Sequence, residues 1–267
     1  MSKEGREVNR QASVDLNCDL GESFGHYRLG NDEEIMKWIT SCNVACGYHA
    51  GDPETMYHSV KLAKQYGVSL GAHPGFPDLM GFGRRELKMS ADEVYHMVIY
   101  QVGALKAFAD VEGVRVRHVK PHGALYNLAT VQPELARAIA EAVRDLDKQL
   151  ILFALSGSEL VKAGRRAGLT VAEEGFADRT YQPDGSLTPR RHPKAVIHDI
   201  RSAARQVISM VKDGMVTTVE GTAVPLRADT ICVHGDHPGA VSFVSRLRKQ
   251  LEDEGIVLRP AGERLDD

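Results

Sequence analysis

The sequence predicts an α/β fold in which about seven strands and their connecting helices form a single β/α barrel. Apolar strand-like segments alternate with amphipathic helical segments along the chain of 267 residues, without a linker or a break in composition. Polar residues follow most of the strands directly, which is where ligands bind in folds with parallel strands. An open, doubly wound sheet shares these features and is the alternative architecture.

The first predicted strand, at positions 14–19, carries polar groups on one face. Because side chains alternate along a strand, Asp15, Asn17 and Asp19 point the same way. Burying such groups without partners costs several kilocalories each, so this face should line a cavity that holds water, a metal or a substrate. The other strands are predicted at positions 41–49, 68–74, 116–123, 149–155, 169–179 and 230–236.

The helical segments between the strands carry start and stop signals. Asp52 and Pro53 offer an N-cap and a proline at the first helical position, and Gly67 closes that helix. Positions 90–93 and 156–159 both have a serine followed three residues later by glutamate, which predicts two capping boxes. Two later helices, with apolar residues at helical spacing, are predicted at 200–211 and 240–251.

Three segments depart from the strand and helix alternation. Residues 1–12 are polar and charged and have no apolar core of a signal peptide, so they are predicted to be a disordered tail. Residues 13–267 then form one barrel domain, with a small hairpin inserted near 215–226. A loop with turn residues at 181–186 follows the sixth strand, where it could cover a site.

Composition excludes several classes of function. The chain is 43% hydrophobic and 26% charged, as soluble globular proteins are. Its net charge of -3 gives no general attraction to nucleic acid or anionic membranes, and no apolar run approaches the roughly 20 residues that span a bilayer. We therefore expect a cytoplasmic protein. The cysteines are too scattered for a disulfide framework and are predicted to be core residues: Cys18, Cys42, Cys46 and Cys232.

Lysine and histidine residues at the strand ends are the main candidates for chemistry. Lys120 and His122 share the inward face of one strand end, where they could bind a carboxylate or polarise a carbonyl. His49 and His234 each precede an aspartate and a proline that open a helix. The aspartates are explained as N-caps, which leaves the histidines as site candidates.

Charged residues elsewhere suggest a metal and an anion. Asp19, His73 and His122 combine a carboxylate with two imidazoles, a ligand set typical of a divalent metal. Arg84 and Arg179 could hold a carboxylate or phosphate with their forked donors, although surface arginines are an equally simple interpretation. Neither of the common glycine-rich phosphate loops is present in the sequence.

With these segments in place, the chain resembles the LamB/YcsF (lactam-utilisation) family over nearly its whole length. The matching segments are positions 15–22, 43–53, 71–75, 81–85, 118–127, 176–179 and 232–236. The resemblance implies a seven-stranded β/α barrel like that of the glycoside hydrolase/deacetylase superfamily. Metal-dependent deacetylases of that superfamily carry two consecutive acids at the end of the first strand. Here the pair is Cys18 and Asp19, so the adjacent base is missing.

The resemblance also implies an activity and partners. It implies ATP-dependent hydrolysis of 5-oxoproline (pyroglutamate) to L-glutamate, with the chain acting as the A subunit of a 5-oxoprolinase that also contains subunits B and C. ATP is then a co-substrate, because a five-membered lactam closes easily and its opening needs a driving force. The sequence leaves open whether ATP binds to this chain or to the partners.

The expected site combines these candidates. Lys120 and His122 polarise the carbonyl, Asp15 or Asp19 activates water or anchors a metal, and Arg179 or Arg84 holds the substrate carboxylate. The predicted catalytic residues are Asp15, Asp19, Lys120, His122, Asp178 and His234. The predicted substrate-binding residues are Asn17, Glu22, His49, Arg84, Arg179 and Asp236. The candidate metal ligands are Asp19, His73 and His122.

Two other functions fit the same residues. One is a stand-alone metal-dependent deacetylase or amide hydrolase that acts on a carbohydrate derivative, marked by a stoichiometric divalent ion and activity without ATP. The other is a non-catalytic subunit that binds the lactam and presents it to catalytic partners. For such a subunit, mutations in the site abolish lactam binding and turnover together.

Overall fold

The computed structural model describes residues 11–234 and 239–265, and its central element is a closed parallel barrel. Ten strands occur in the described ranges: β1 (Ser13–Leu20), β2 (Ser41–Ala45), β3 (Ser69–His73), β4 (Val116–Val119), β5 (Ile151–Leu155), β6 (Thr170–Phe176), β7 (Met215–Thr217), β8 (Ala223–Pro225), β9 (Thr230–Val233) and β10 (Val257–Leu258). Strands β1 to β6 and then β9 pair in order, and β9 pairs back to β1. The predicted seven-stranded barrel is confirmed, and the open sheet is excluded.

Helices surround the barrel and join its strands. Those in the described ranges are α1 (Asp32–Met36), α2 (Pro53–Tyr66), α3 (Ala91–Glu112), α4 (Gly123–Val131), α5 (Pro133–Leu146), α6 (Glu159–Arg166), α7 (Ile200–Lys212), α8 (Ala240–Asp253) and α9 (Ala261–Leu265). None of these helices combines the length and the apolar character that a bilayer span requires.

Helix caps follow the sequence signals with two exceptions, one of which is α8, whose N-cap is Gly239 and not the predicted Asp236. The Asp52 side chain accepts a hydrogen bond from the Thr55 amide at the start of α2, and Ser90 forms a capping box at the start of α3. The second predicted capping box is wrong. Ser158 caps α6, while the Ser156 hydroxyl donates instead to the buried carboxylate of Glu173. A buried carboxylate needs donors more than an exposed helix end does, which explains the shift.

Two small elements lie outside the barrel ring. Strands β7 and β8 form an antiparallel hairpin between α7 and β9. Strand β10 pairs with the first residues of β1, and the Val257 amide donates to the carbonyl of Ala12. Residues 1–10 of the predicted tail lie outside the described residues. No pattern in the sequence indicated β10 or α9.

Most barrel strands have an apolar outer face and an inner face with polar groups, whereas β5 is apolar on both faces. On β1, Leu16 and Cys18 pack into the main core, whereas Asp15 and Asn17 are equally buried inside the ring. All four cysteines are buried thiols in the described structure. Burial raises the pKa of Cys18 well above its ordinary value, so this thiol stays neutral in the core. The polar inner face therefore runs along the barrel axis to the carboxyl ends of the strands.

Candidate active site

Lys120, at the end of β4, is the buried centre of the polar cluster. Its Nζ donates to Asp19 Oδ1 at 3.0 Å, to Asn17 Oδ1 at 3.2 Å and to Glu174 Oε1 at 2.9 Å, and lies 3.1 Å from Cys232 Sγ. Burial opposes the charged form, but Asp19, Cys232 and Glu174 outweigh it and raise the pKa of Lys120 well above its ordinary value. The ammonium group therefore pairs with two carboxylates, those of Asp19 and Glu174.

Glu174, on β6, belongs to this cluster although the sequence did not single it out. Its Oε1 accepts from the Asn17 side chain at 3.0 Å, and its Oε2 accepts from the Tyr126 hydroxyl at 2.6 Å. The side chain is fully buried. The available signal was a pair of acids, Glu173 and Glu174, between apolar residues of one strand, a position where a carboxylate requires a hydrogen-bonded or charged partner.

Asp19 is held as a carboxylate at the end of β1. Its Oδ2 lies 3.2 Å from His73 Nε2, and its Oδ1 accepts from Asn43 as well as from Lys120. Burial favours the neutral acid, but His73 and Lys120 outweigh it and hold the pKa of Asp19 well below its ordinary value. The carboxylate is therefore ionised at neutral pH and available to a cation or a water molecule.

Backbone carbonyls fix the tautomers of two neighbouring histidines. His73 Nδ1 lies 2.7 Å from the Lys120 carbonyl, and His122 Nε2 lies 2.8 Å from the Phe82 carbonyl. A carbonyl only accepts, so both of these nitrogens carry protons. The remaining nitrogens, His73 Nε2 and His122 Nδ1, face each other at 3.0 Å with lone pairs when both rings are neutral. Such a contact needs a shared proton or a cation between the rings.

His49 and Glu22 complete this group. His49 is fully buried, stacks on His122 with ring centroids 3.7 Å apart, and has no hydrogen-bond partner for either ring nitrogen among the described residues. Burial lowers the pKa of His49 well below its ordinary value and that of His122 to about 3, so both rings are neutral. One ligand atom each from Glu22, His49, His73 and His122 lies within 4.8 Å of the others.

The loop after β3 lies in close contact with the His49 and His122 rings. Gly83 has a φ of +62°, and a Cβ there would lie 2.7 Å from His49 Cβ and 2.8 Å from His122 Cδ2. Phe82 also has a positive φ, of 55°, which is unusual for a bulky residue. Its carbonyl is the acceptor that orients His122. Backbone strain is thus placed where it fixes a site histidine.

An aspartate and a histidine form a second group across the mouth of the barrel. His234 Nδ1 donates to Asp178 Oδ2 at 2.7 Å, and the second carboxylate oxygen is buried without a described partner. Burial opposes ionisation of Asp178, but His234 and Arg179 outweigh it and lower its pKa. His234 stacks on Phe176, whose ring also lies 5.5 Å from Lys120 Nζ. Both groups therefore border one mouth.

Comparisons with known proteins agree with this architecture. Residues 14–266 match the sequence model of the LamB/YcsF family. The chain belongs to the LamB/YcsF family. It is 58% identical over 247 residues to the A subunit of 5-oxoprolinase from Geobacillus kaustophilus, covering 92% of this chain and 96% of that protein. It is 55% identical over 250 residues to the A subunit of 5-oxoprolinase from Bacillus subtilis, covering 94% and 97%.

A solved structure of a similar protein has the same fold. The crystal structure of a lactam utilization protein from Thermus thermophilus superposes with a TM-score of 0.88 at 47% identity, covering 92% of this chain and 99% of that one. The relatives are named as one subunit of an enzyme, so this LamB/YcsF chain is related to parts of a multi-subunit assembly.

In this LamB/YcsF barrel, most of the predicted site residues converge on the mouth. The group consists of Asp19, Glu22, His49, His73, Lys120, His122, Asp178 and His234. Asn17 lies one layer deeper, where it bonds to Glu174, Thr230 and Lys120. Asp236 lies outside the described residues.

Three predicted residues of the LamB/YcsF chain lie apart from that group. Asp15 is buried farther down the barrel among hydroxyl groups. Arg179 is buried and donates to the carbonyls of Ala195 and Thr188. Arg84 is exposed, with its guanidinium 5.1 Å from the Phe82 ring centroid, and its charge opposes protonation of the neighbouring histidines.

Proposed function

We propose that this chain is the A subunit of an ATP-dependent 5-oxoprolinase and that its barrel hydrolyses the cyclic amide. The observation that carries the proposal is the convergence of an aspartate–histidine pair and an acid–imidazole cluster on one barrel mouth. The names of relatives at 55% to 58% identity support the substrate.

The chemistry requires water to attack an unreactive carbonyl. A new C–O bond forms, the ring C–N bond breaks, and the nitrogen leaves with a proton as the amine of glutamate. The attacking water must lose a proton, and the leaving nitrogen must gain one. Phosphorylation of the amide oxygen by ATP releases ADP and makes the carbon a better electrophile. Expulsion of the ring nitrogen then leaves an acyl phosphate, which a second water molecule hydrolyses to glutamate and inorganic phosphate, so ATP hydrolysis offsets the ease of ring closure.

His234 is the proposed general base. Its Nδ1–H is bound by Asp178, so Nε2 carries the lone pair that takes a proton from water. Asp178 holds the ring in the correct tautomer and stabilises the imidazolium that forms. Lys120 keeps Asp19 ionised and oriented. The protons of its ammonium group already have acceptors, so we assign Lys120 this role in place of the predicted polarisation of the carbonyl.

A divalent transition-metal ion is the proposed occupant of the histidine cluster. Imidazoles whose outward N–H groups are bound to backbone carbonyls, as in His73 and His122, have the usual arrangement of metal ligands. Asp19, Glu22 and His49 supply further donors, and the buried unpartnered nitrogens of His49 fit such a role. When bound, the metal polarises the carbonyl or lowers the pKa of a water molecule.

Metal content tests this assignment directly. We expect the purified chain to contain close to one divalent ion, and His49→Ala to lose affinity for that ion by at least about tenfold. His96→Ala is the matched control, because His96 is exposed on α3. Elemental analysis after equilibration with limiting metal measures both. Turnover by a reconstituted complex whose barrel subunit contains no bound metal would rule out the assignment.

Reconstitution tests the proposed function itself. The purified chain is mixed with partner subunits B and C, together and singly, and glutamate and ADP are followed from 5-oxoproline. We expect coupled formation of both only in the complete mixture. His234→Gln should lower kcat about 10² to 10⁴-fold if His234 is the base. Hydrolysis of an acetylated sugar by the chain alone, without ATP, would instead support the deacetylase alternative.

A further inference from the structure

The proposed substrate carries a carboxylate that a buried site must bind. In 5-oxoproline, two ring carbons flank the nitrogen: one carries this carboxylate, and the other is the carbon of the reacting carbonyl. A cation that holds the carboxylate must therefore lie beside the group that activates water. Arginine is the residue best suited to this task, because its guanidinium forms paired hydrogen bonds with a carboxylate.

Arg179 already uses its guanidinium in hydrogen bonds to backbone carbonyls. Its Nε donates to the Ala195 carbonyl at 3.3 Å, and its Nη2 donates to the Thr188 carbonyl at 2.6 Å. Burial lowers its pKa to about 10, and the nearby charge of Arg190 acts in the same direction. Arg179 therefore anchors the loop of residues 179–197 that joins β6 to α7, which we call the strap.

The strap presents a second arginine at the mouth. Backbone hydrogen bonds tie its two arms together, from the Thr180 amide to the Ala195 carbonyl and from the Thr188 amide to the Thr180 carbonyl. Arg190 lies on the exposed turn between these anchored arms. Its Nη2 donates to His234 Nε2 at 2.9 Å. The strap thus delivers one guanidinium to the proposed general base.

This contact brings together the two groups that the substrate needs side by side. An arginine only donates, so the contact uses the lone pair of His234 Nε2, the same lone pair that must accept a proton from water. A carboxylate is a stronger partner for a guanidinium than a neutral imidazole, because both members of the hydrogen bond are charged. A bound carboxylate would draw Arg190 away from His234 and free the base.

We propose that Arg190 binds the substrate carboxylate and that its transfer from His234 to this carboxylate exposes the general base. The inference rests on the proposed function and deepens it, because it makes activation of water depend on the anionic group of the correct substrate. An uncharged lactam leaves Arg190 on His234 and is a poor substrate.

Binding measurements on the full chain test the role of Arg190 without turnover. Titration calorimetry compares 5-oxoproline with its neutral carboxamide, 5-oxoprolinamide. We expect the wild type to prefer the carboxylate by about tenfold or more, and Arg190→Ala to lose this preference. Arg191→Ala is the matched control, because Arg191 is the adjacent exposed arginine of the strap, and it should keep the preference.

Turnover in the reconstituted complex gives the second readout. Arg190→Ala should raise KM for 5-oxoproline at least about tenfold with little change in kcat, because His234 is no longer held by the guanidinium, and added guanidinium should restore part of the affinity. Retention of the carboxylate preference by Arg190→Ala, or its loss in Arg84→Ala alone, overturns the proposal, as does a wild type without any preference. Absence of turnover in the wild-type complex refutes the proposed function instead, while the calorimetry still decides the role of Arg190.

Discussion

Two aspartates on β1 share one face of the strand yet have opposite environments. Asp15 Oδ1 accepts from the Thr40 and Ser41 hydroxyls, and Oδ2 accepts from the Thr230 hydroxyl. Burial outweighs these hydrogen bonds and raises the pKa of Asp15 to about 6. Asp19, two barrel layers higher at the mouth, has a pKa well below its ordinary value, because His73 and Lys120 outweigh burial.

The difference shows that position along the barrel axis decides what a buried carboxylate does. Hydroxyl groups satisfy the oxygens of Asp15 but supply no charge, so part of the cost of desolvation remains. At the mouth, Lys120 and His73 offset this cost for Asp19. We therefore interpret Asp15 as a structural residue that joins β1 to β2 and β9, and Asp19 as a residue of the site.

Exchange of each aspartate for asparagine gives the largest expected contrast. Asp19→Asn should lower kcat/KM of the reconstituted complex about 10³ to 10⁴-fold, because it removes the charge that pairs with Lys120 and faces His73. Asp15→Asn should stay within about tenfold of the wild type. Steady-state glutamate formation measures both. Equal losses in the two variants would show that Asp15 also takes part in catalysis.

Replacement of Lys120, the cation that pairs with both Asp19 and Glu174, tests how charge stabilises the mouth. Lys120→Met should lower the free energy of unfolding by about 4 kcal/mol, since it leaves Asp19 and the fully buried Glu174 without their cation. Lys88→Met is the control, because Lys88 is exposed. Denaturant titration followed by circular dichroism measures the change. A stability equal to that of the control would mean that Lys120 contributes no net stabilisation to the cluster.

A smaller effect concerns the pH dependence of stability around Asp15. Its pKa is about 6 in the folded chain against 3.8 for an unperturbed aspartate, so the folded state retains the proton to higher pH. The wild type should therefore lose about 2 to 3 kcal/mol relative to Asp15→Asn as pH rises from about 4 to about 7.5. Unfolding midpoints at both pH values provide the measurement. Asp110→Asn, at an exposed position, should show no such trend.

Local patterns in the sequence predicted much of the molecule. The alternation of polar and apolar residues on β1 separates Asp15, Asn17 and Asp19 from the core residues, and this separation is observed. Cys18 illustrates the same rule, since it lies between Asn17 and Asp19 but on the opposite face of β1, and it packs into the core. Cap signals at Asp52 and Ser90 succeeded because a cap depends on neighbours within one turn.

The sequence by itself determined the barrel, the inward faces of its strands and most of the residues at its mouth, because these follow from periodicities a few residues long. Tertiary structure decided which of them meet. Glu174 reaches Lys120, Arg179 uses its donors on the strap, and Arg190 reaches His234. These pairings join segments far apart in the chain, and they depend on strand order, register and loop path, which no local pattern encodes.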